Sequence, residues 1–263
     1  MTPLRVALEI TPPREPRTEL LLRRAQLLGA RASAVHVIQR HERQPSVAAA
    51  AELAQRGIAA VWHLVSRGRT GAELEGEIAR AAASGLRAAL VVRGEAGPAE
   101  PQRPPALAQL VRDVRAAIPG ARVGVTATPY GPRERVLARL WPKLEAGAAF
   151  VQTQPIFGVD DLAPLARAVR TRAPGVEIVP MLIPLLSSAA AEALSQRLRL
   201  PVPERVLRQL EAGGEEAGWA ALAALVRELG QSGFCDSLAV MTLGADPSKS
   251  FGERLAAALG SAA

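Results

Sequence analysis

A glutamate embedded in an apolar run, Glu9 in LRVALEITPP, is the first residue whose charge does not match its surroundings. With Leu8 and Ile10 beside it and Pro12 and Pro13 just beyond, its carboxyl is expected to be partly desolvated. That raises a carboxylic pKa and suits a general acid, the alternative being an ion pair with an arginine in the mouth of the fold. Arg93, Gly94 and Glu95 set a cation, a flexible backbone and an anion side by side. Lys143 stands out because only it and Lys249 are lysines among 32 basic residues. Arg135, Arg139 and Lys143 recur every four residues, so a helix would place them on one face, either as a solvated basic surface or as a cradle for a diphosphate. In QTQPIF, Gln152 and Gln154 carry amides whose donors and acceptors match the edge of a flat heterocycle such as a pterin. His36 and His41 lie five residues apart across an expected strand-to-loop change, and His63 belongs to another unit, so no metal site is expected.

These residues need a scaffold, and the glycines outline it. Gly29, Gly57 and Gly85 are 28 residues apart, as are Gly147 and Gly175; each follows an Ala/Leu/Arg-rich helical stretch and precedes a short apolar run, the pattern of a helix-ending glycine that feeds a strand. Strands are expected at 4–10, 33–38, 58–65, 87–92, 121–127, 148–153, 176–183 and 234–241, with amphipathic helices between them, for example at 70–84 and 105–117. Eight alternating units with a near-constant period point to a single (β/α)8 TIM barrel over residues 1–263. An open doubly wound sheet fits less well, because no G-x-G-x-x-G follows the first strand. The long connection 184–233 is expected to hold two or three helices around Pro201 and Pro203 before the last strand. In such a barrel, chemistry gathers at the carboxyl ends of the strands, which here are Glu9, Gln39, His63, Arg93 with Glu95, Thr126 with Thr128, Gln152 with Gln154, and Thr242.

Composition narrows the function classes. At 49% hydrophobic and 22% charged, the chain can bury a core, which excludes disordered and collagen-like classes. A single cysteine, Cys235, excludes an internal disulfide and a Cys-rich zinc site, and fits a cytoplasmic setting. No targeting or membrane segment is expected. The net charge of +7 comes from arginines scattered along every segment, without a basic tract interleaved with aromatics. That distribution argues against nucleic acid as a partner and leaves room for phosphate-bearing ligands.

Several of these runs together resemble the methylenetetrahydrofolate reductase family. ALEITPPR is similar to its strand-borne Glu followed by two prolines, WHLV to its His-Leu segment, and RGE stands where the family has Arg-Gly-Asp. KLEAGAAFVQTQPIF resembles its Lys-x-x-Ala-Gly-Ala to Thr-Gln-x-x-Phe stretch, keeping the eleven-residue step from Lys143 to Gln154. IVPMLIPLLS resembles its Pro-Gly-Ile-x-Pro segment. The resemblance implies reduction of 5,10-methylenetetrahydrofolate to 5-methyltetrahydrofolate in one-carbon metabolism and methionine biosynthesis, with NADH or NADPH as electron donor and FAD as cofactor. It implies Glu9 as the acid, Glu95 as a carboxylate near both rings, and Gln154 as a pterin contact. For the flavin it implies His63, Arg93, Gly94, Glu95, Thr128, Arg139 and Lys143. The chain departs from the pattern after strand two, where VIQRHERQPSV holds no glycine, and after strand five, where TPYGPRER lacks the usual His. Alternatives on the same scaffold are a flavin-free reductase, a folate-dependent demethylase, and a non-catalytic folate-binding subunit. A homo-oligomer or a partner subunit is left open.

Overall fold

The computed structural model describes residues 4–94, 105–242 and 247–260. Strand and helix alternate from the start: β1 (Arg5–Ile10), α1 (Thr18–Ala25), β2 (Ala32–Val37), α2 (Ser46–Ala54), β3 (Ala60–Val65), α3 (Gly71–Ala83), β4 (Ala88–Val92) and α4 (Leu107–Ala117). They continue as β5 (Arg122–Ala127), α5 (Arg133–Glu145), β6 (Phe150–Pro155), α6 (Val159–Arg172) and β7 (Glu177–Leu182). Two helices, α7 (Ser188–Leu198) and α8 (Glu204–Ser232), then precede β8 (Ser237–Met241) and α9 (Lys249–Leu259). The strands are parallel and close in chain order, β8 pairing back onto β1 through Arg5–Ser237 to Glu9–Met241. The expected TIM barrel and its enlarged helical connection are therefore both present.

The strands read as nearly continuous apolar runs because each buries two faces. Outward residues such as Leu8, Val37, Leu64, Val91, Val125 and Val240 join the helices in the main core. Inward residues Val61, Leu90, Phe150, Val179 and Ala239 fill the middle of the barrel. Gly124 on β5 makes room for the largest of these, since a Cβ there would come within 2.1 Å of the Phe150 ring. No helix among the described residues is long and apolar enough to cross a membrane.

The glycine repeat holds in part. Gly57, Gly85 and Gly147 take φ of +76°, +71° and +96°, the left-handed conformation that ends a helix cheaply only in glycine. Gly29 (φ +52°) opens a short 3-10 turn instead, and Gly175 is not in the left-handed region, because α6 already ends at Ala173, whose φ of −140° and ψ of 65° leave the helix. In the long connection, α8 is two helical segments meeting at Gly214 (φ +55°, ψ −140°), starting directly after Pro203.

Candidate functional site

At the carboxyl end of the barrel, strand alternation turns Glu9, His36, His63 and Gln152 inward while their neighbours pack outward. Glu9 and His36 are register partners on adjacent strands. All four are buried, with exposures of 4%, 3%, 5% and 1%. The Gln152 amide donates to Glu9 Oε2 at 2.8 Å, and His63 Nε2 lies 3.7 Å from the same oxygen. The two imidazoles meet edge to face with centroids 5.9 Å apart. Ser46, at the start of α2, fixes where β3 presents His63: its hydroxyl donates to the Val37 carbonyl at 2.6 Å and accepts from the His63 backbone N–H at 2.8 Å.

Electrostatics follow from burial. Desolvation pushes the Glu9 carboxyl up from 4.5 to about 7, opposed in part by the Gln152 hydrogen bond and by the charge of Arg40. Burial holds His36 down at about 4, helped by the Arg122 guanidinium, and holds His63 well below the usual imidazole range, helped by His36. Both imidazoles are thus neutral at pH 7, so Glu9 and His63 are not an ion pair. The partner of Glu9 is an amide rather than the arginine that sequence left as the alternative. His36 Nδ1, His63 Nε2 and Gln152 Oε1 are buried without a hydrogen-bond partner.

A second group forms at the ends of β4 and β5. Lys143, the one buried cation of the Arg135–Arg139–Lys143 series, donates to the Thr126 carbonyl, while Arg135 and Arg139 are exposed. Burial lowers Lys143 to about 8, with the charges of Arg93 and Arg139 adding to the shift. Among the described residues neither Arg93 nor Arg139 forms a salt bridge. Gly94 has φ +91°, and a Cβ there would come within 2.5 Å of Val65 Cγ1, so the chain after β4 can pass this close to β3 only as glycine.

The other expected residues divide. Thr128 is used by its own loop, its hydroxyl accepting from the Tyr130 N–H at 3.2 Å, and the Tyr130 hydroxyl ties that loop to the Pro155 carbonyl at 2.8 Å. Gln154 is exposed at the rim, within a pairing irregularity between Gln152 and Pro155. His63 lies inside the barrel, level with Glu9, and Glu95 falls outside the described residues. From sequence, His36 is weighed only as a metal ligand and set aside, and the role of Gln152 toward Glu9 is not reached. The signal available was their inward parity with Glu9, next to the inward residues Ala34 and Phe150.

Comparison with known proteins follows the same line. A family model described as methylenetetrahydrofolate reductase matches residues 3–250. A search of curated proteins gives no match. Among solved structures, an uncharacterized protein from Clostridium thermocellum that binds two copies of 5-methyl-5,6,7,8-tetrahydrofolic acid is 15% identical, with a TM-score of 0.70 over 98% of this chain and 93% of that one. Tryptophan synthase from M. tuberculosis, in an open form with BRD0059 bound, is 13% identical, with a TM-score of 0.56 over 99% and 91% of the two chains. At these identities the likeness is one of fold.

Proposed function

The chain belongs to the methylenetetrahydrofolate reductase family, and on that premise we propose that it reduces 5,10-methylenetetrahydrofolate to 5-methyltetrahydrofolate with electrons from NADH or NADPH. The observation that carries this reading is Glu9. It is a carboxyl at a strand's carboxyl end, shielded from water, held by one amide, and able to keep its proton near neutral pH. Opening the five-membered ring of the folate needs a proton on the departing nitrogen, and a desolvated carboxyl in the barrel mouth is suited to deliver it. Gln152 keeps that carboxyl aimed, and Gln154 at the rim has an exposed amide to offer a pterin edge.

The family's cofactor is FAD, and the residues at the ends of β4 and β5 fit its diphosphate. Burial depresses Lys143 first, the charges of Arg93 and Arg139 add to it, and a bound anion would relieve that repulsion. When bound, the flavin would carry the hydride between nicotinamide and folate. The protein's own share is to hold the phosphates, exclude water around Glu9 and keep its proton in place.

A test is anaerobic incubation of the purified chain with FAD, NADH or NADPH, and methylenetetrahydrofolate, with 5-methyltetrahydrofolate formation as the expected result. The Clostridium protein's binding of the methylated folate favours a second reading, a folate-binding protein without reductase activity. Methyltetrahydrofolate binding by calorimetry, with no turnover in the presence of FAD and either nicotinamide, would select it.

A further inference from the structure

We propose that Glu9, His36 and His63 form a site for one divalent transition ion of the zinc class. One nitrogen of each imidazole and one Glu9 carboxylate oxygen lie within 4.8 Å of one another, on three consecutive inward-facing strand ends. A tetrahedral zinc ion with bonds of about 2.0–2.2 Å needs its ligand atoms roughly 3.3–3.5 Å apart. The His63 Nε2 to Glu9 Oε2 distance of 3.7 Å is already within a few tenths of that, and the whole set lies within 4.8 Å.

Independent support comes from the unused bonding capacity. His36 and His63 are 3% and 5% exposed, yet His36 Nδ1 and His63 Nε2 have no hydrogen-bond partner. Buried polar atoms are nearly always satisfied, so two orphan nitrogens on imidazoles that each place a ring nitrogen near the Glu9 carboxylate call for an occupant. Two imidazoles with one carboxylate suit zinc, cobalt, nickel or iron far better than magnesium or calcium, which take mainly oxygen ligands. Three protein ligands also leave a fourth position open, as in catalytic rather than structural zinc sites. Gln152 supplies the outer support that metal-binding carboxylates commonly have, through its hydrogen bond to Glu9. An ion here takes the oxygen that would otherwise carry the acid proton, so the metal-loaded and acid-bearing forms of Glu9 are alternatives. Metal binding itself does not depend on the folate reading and is measured without folate.

The full chain, stripped with a chelator, is titrated with zinc chloride by calorimetry and with cobalt(II) by visible absorption. One ion per chain is expected, with cobalt giving the intense visible band of a low-coordinate site. His36→Asn and His63→Asn should each weaken zinc binding by about 100-fold or more, beyond what loss of an outer hydrogen-bond partner costs. His41→Ala, removing an imidazole that is 97% exposed, should change nothing. If the Asn variants fail to fold, the cobalt spectrum of the wild type decides, since a surface site leaves cobalt weakly absorbing. No stoichiometric binding by the folded wild type overturns the site and leaves the orphan atoms to buried water. Binding that survives in both Asn variants but is lost in His41→Ala overturns it equally.

Discussion

The two ends of the barrel interior both carry polar clusters, and they differ in whether those clusters are complete. At the amino end Glu177 accepts from Arg5 at 3.1 Å, from Ser237 at 2.5 Å and from Arg122, whose guanidinium also sits 4.5 Å from the centroid of the Phe150 ring. Every group there has a partner, and a cavity of about 490 Å³ opens beside it. At the carboxyl end the Glu9 cluster is more deeply buried, has one strong internal hydrogen bond and leaves three polar atoms unmatched. A saturated cluster contributes stability. An unsaturated one costs stability, by roughly 1–3 kcal/mol for each buried orphan, and persists where a ligand completes it.

The largest expected effect separates the two ends directly. Glu9→Gln should lower methylenetetrahydrofolate reduction by about 10²–10⁴-fold while leaving flavin reduction by nicotinamide intact, because only the folate step needs the proton. Stopped-flow traces of both half-reactions check this, and an equal fall in both would make Glu9 a structural residue. In the same variant the melting temperature should hold or rise, because a neutral amide replaces a desolvated acid.

The converse holds at the amino end, where Glu177→Gln should cost about 1–3 kcal/mol of stability, discounted for the partial exposure of Arg5 and Arg122, with little change in folate affinity. Urea unfolding paired with folate titration would show whether the ends are independent; a large loss of affinity would break the comparison.

A smaller effect sharpens the carboxyl end itself. Gln152→Leu should slow the folate half-reaction by roughly 5–10-fold, about the worth of one hydrogen bond, with folate affinity nearly unchanged. Gln154→Leu should do the reverse, weakening folate binding by a similar factor in calorimetry with the barrel intact.

The smallest effect is on pH dependence. A lysine lowered to about 8 is charged below that pH and neutral above it, so FAD affinity should fall as pH rises through about 8, well before an ordinary lysine would titrate. Lys143→Met should flatten that profile. Fluorescence quenching of FAD across pH 7–9 measures it, and a flat wild-type profile would remove the Lys143 ammonium from the phosphate site.

Much of the fold was legible because the signals that specify it are local. The strand ranges read from apolar runs agree with β1 to β8 to within a few residues, and the glycines at 57, 85 and 147 end helices where expected. Gly175 was misread because a glycine after a helix looks the same whether or not the helix has already ended at Ala173. Glu9 was legible too, since a carboxylate between Leu8 and Ile10 on a strand end has few ways to reach water. Lys143 was picked out by residue choice, but its bond to the Thr126 carbonyl was not visible, because helix periodicity gives a face and not the strand beneath it.

By itself, then, the sequence determined the period of the barrel, the burial of its strands on both faces and the suspect carboxyl, all of which follow from neighbours along the chain. Only the tertiary structure decided which polar side chains share the interior. His36 and His63 looked too far apart for a common ligand, yet closure of the barrel lays β1, β2 and β3 side by side and turns both imidazoles toward Glu9. Gln152 and Glu9 lie 143 residues apart and meet across the barrel at 2.8 Å. Strand parity can be read from sequence, but which parities fall at one height depends on the register and stagger of a closed sheet, and those are fixed by packing around the whole ring.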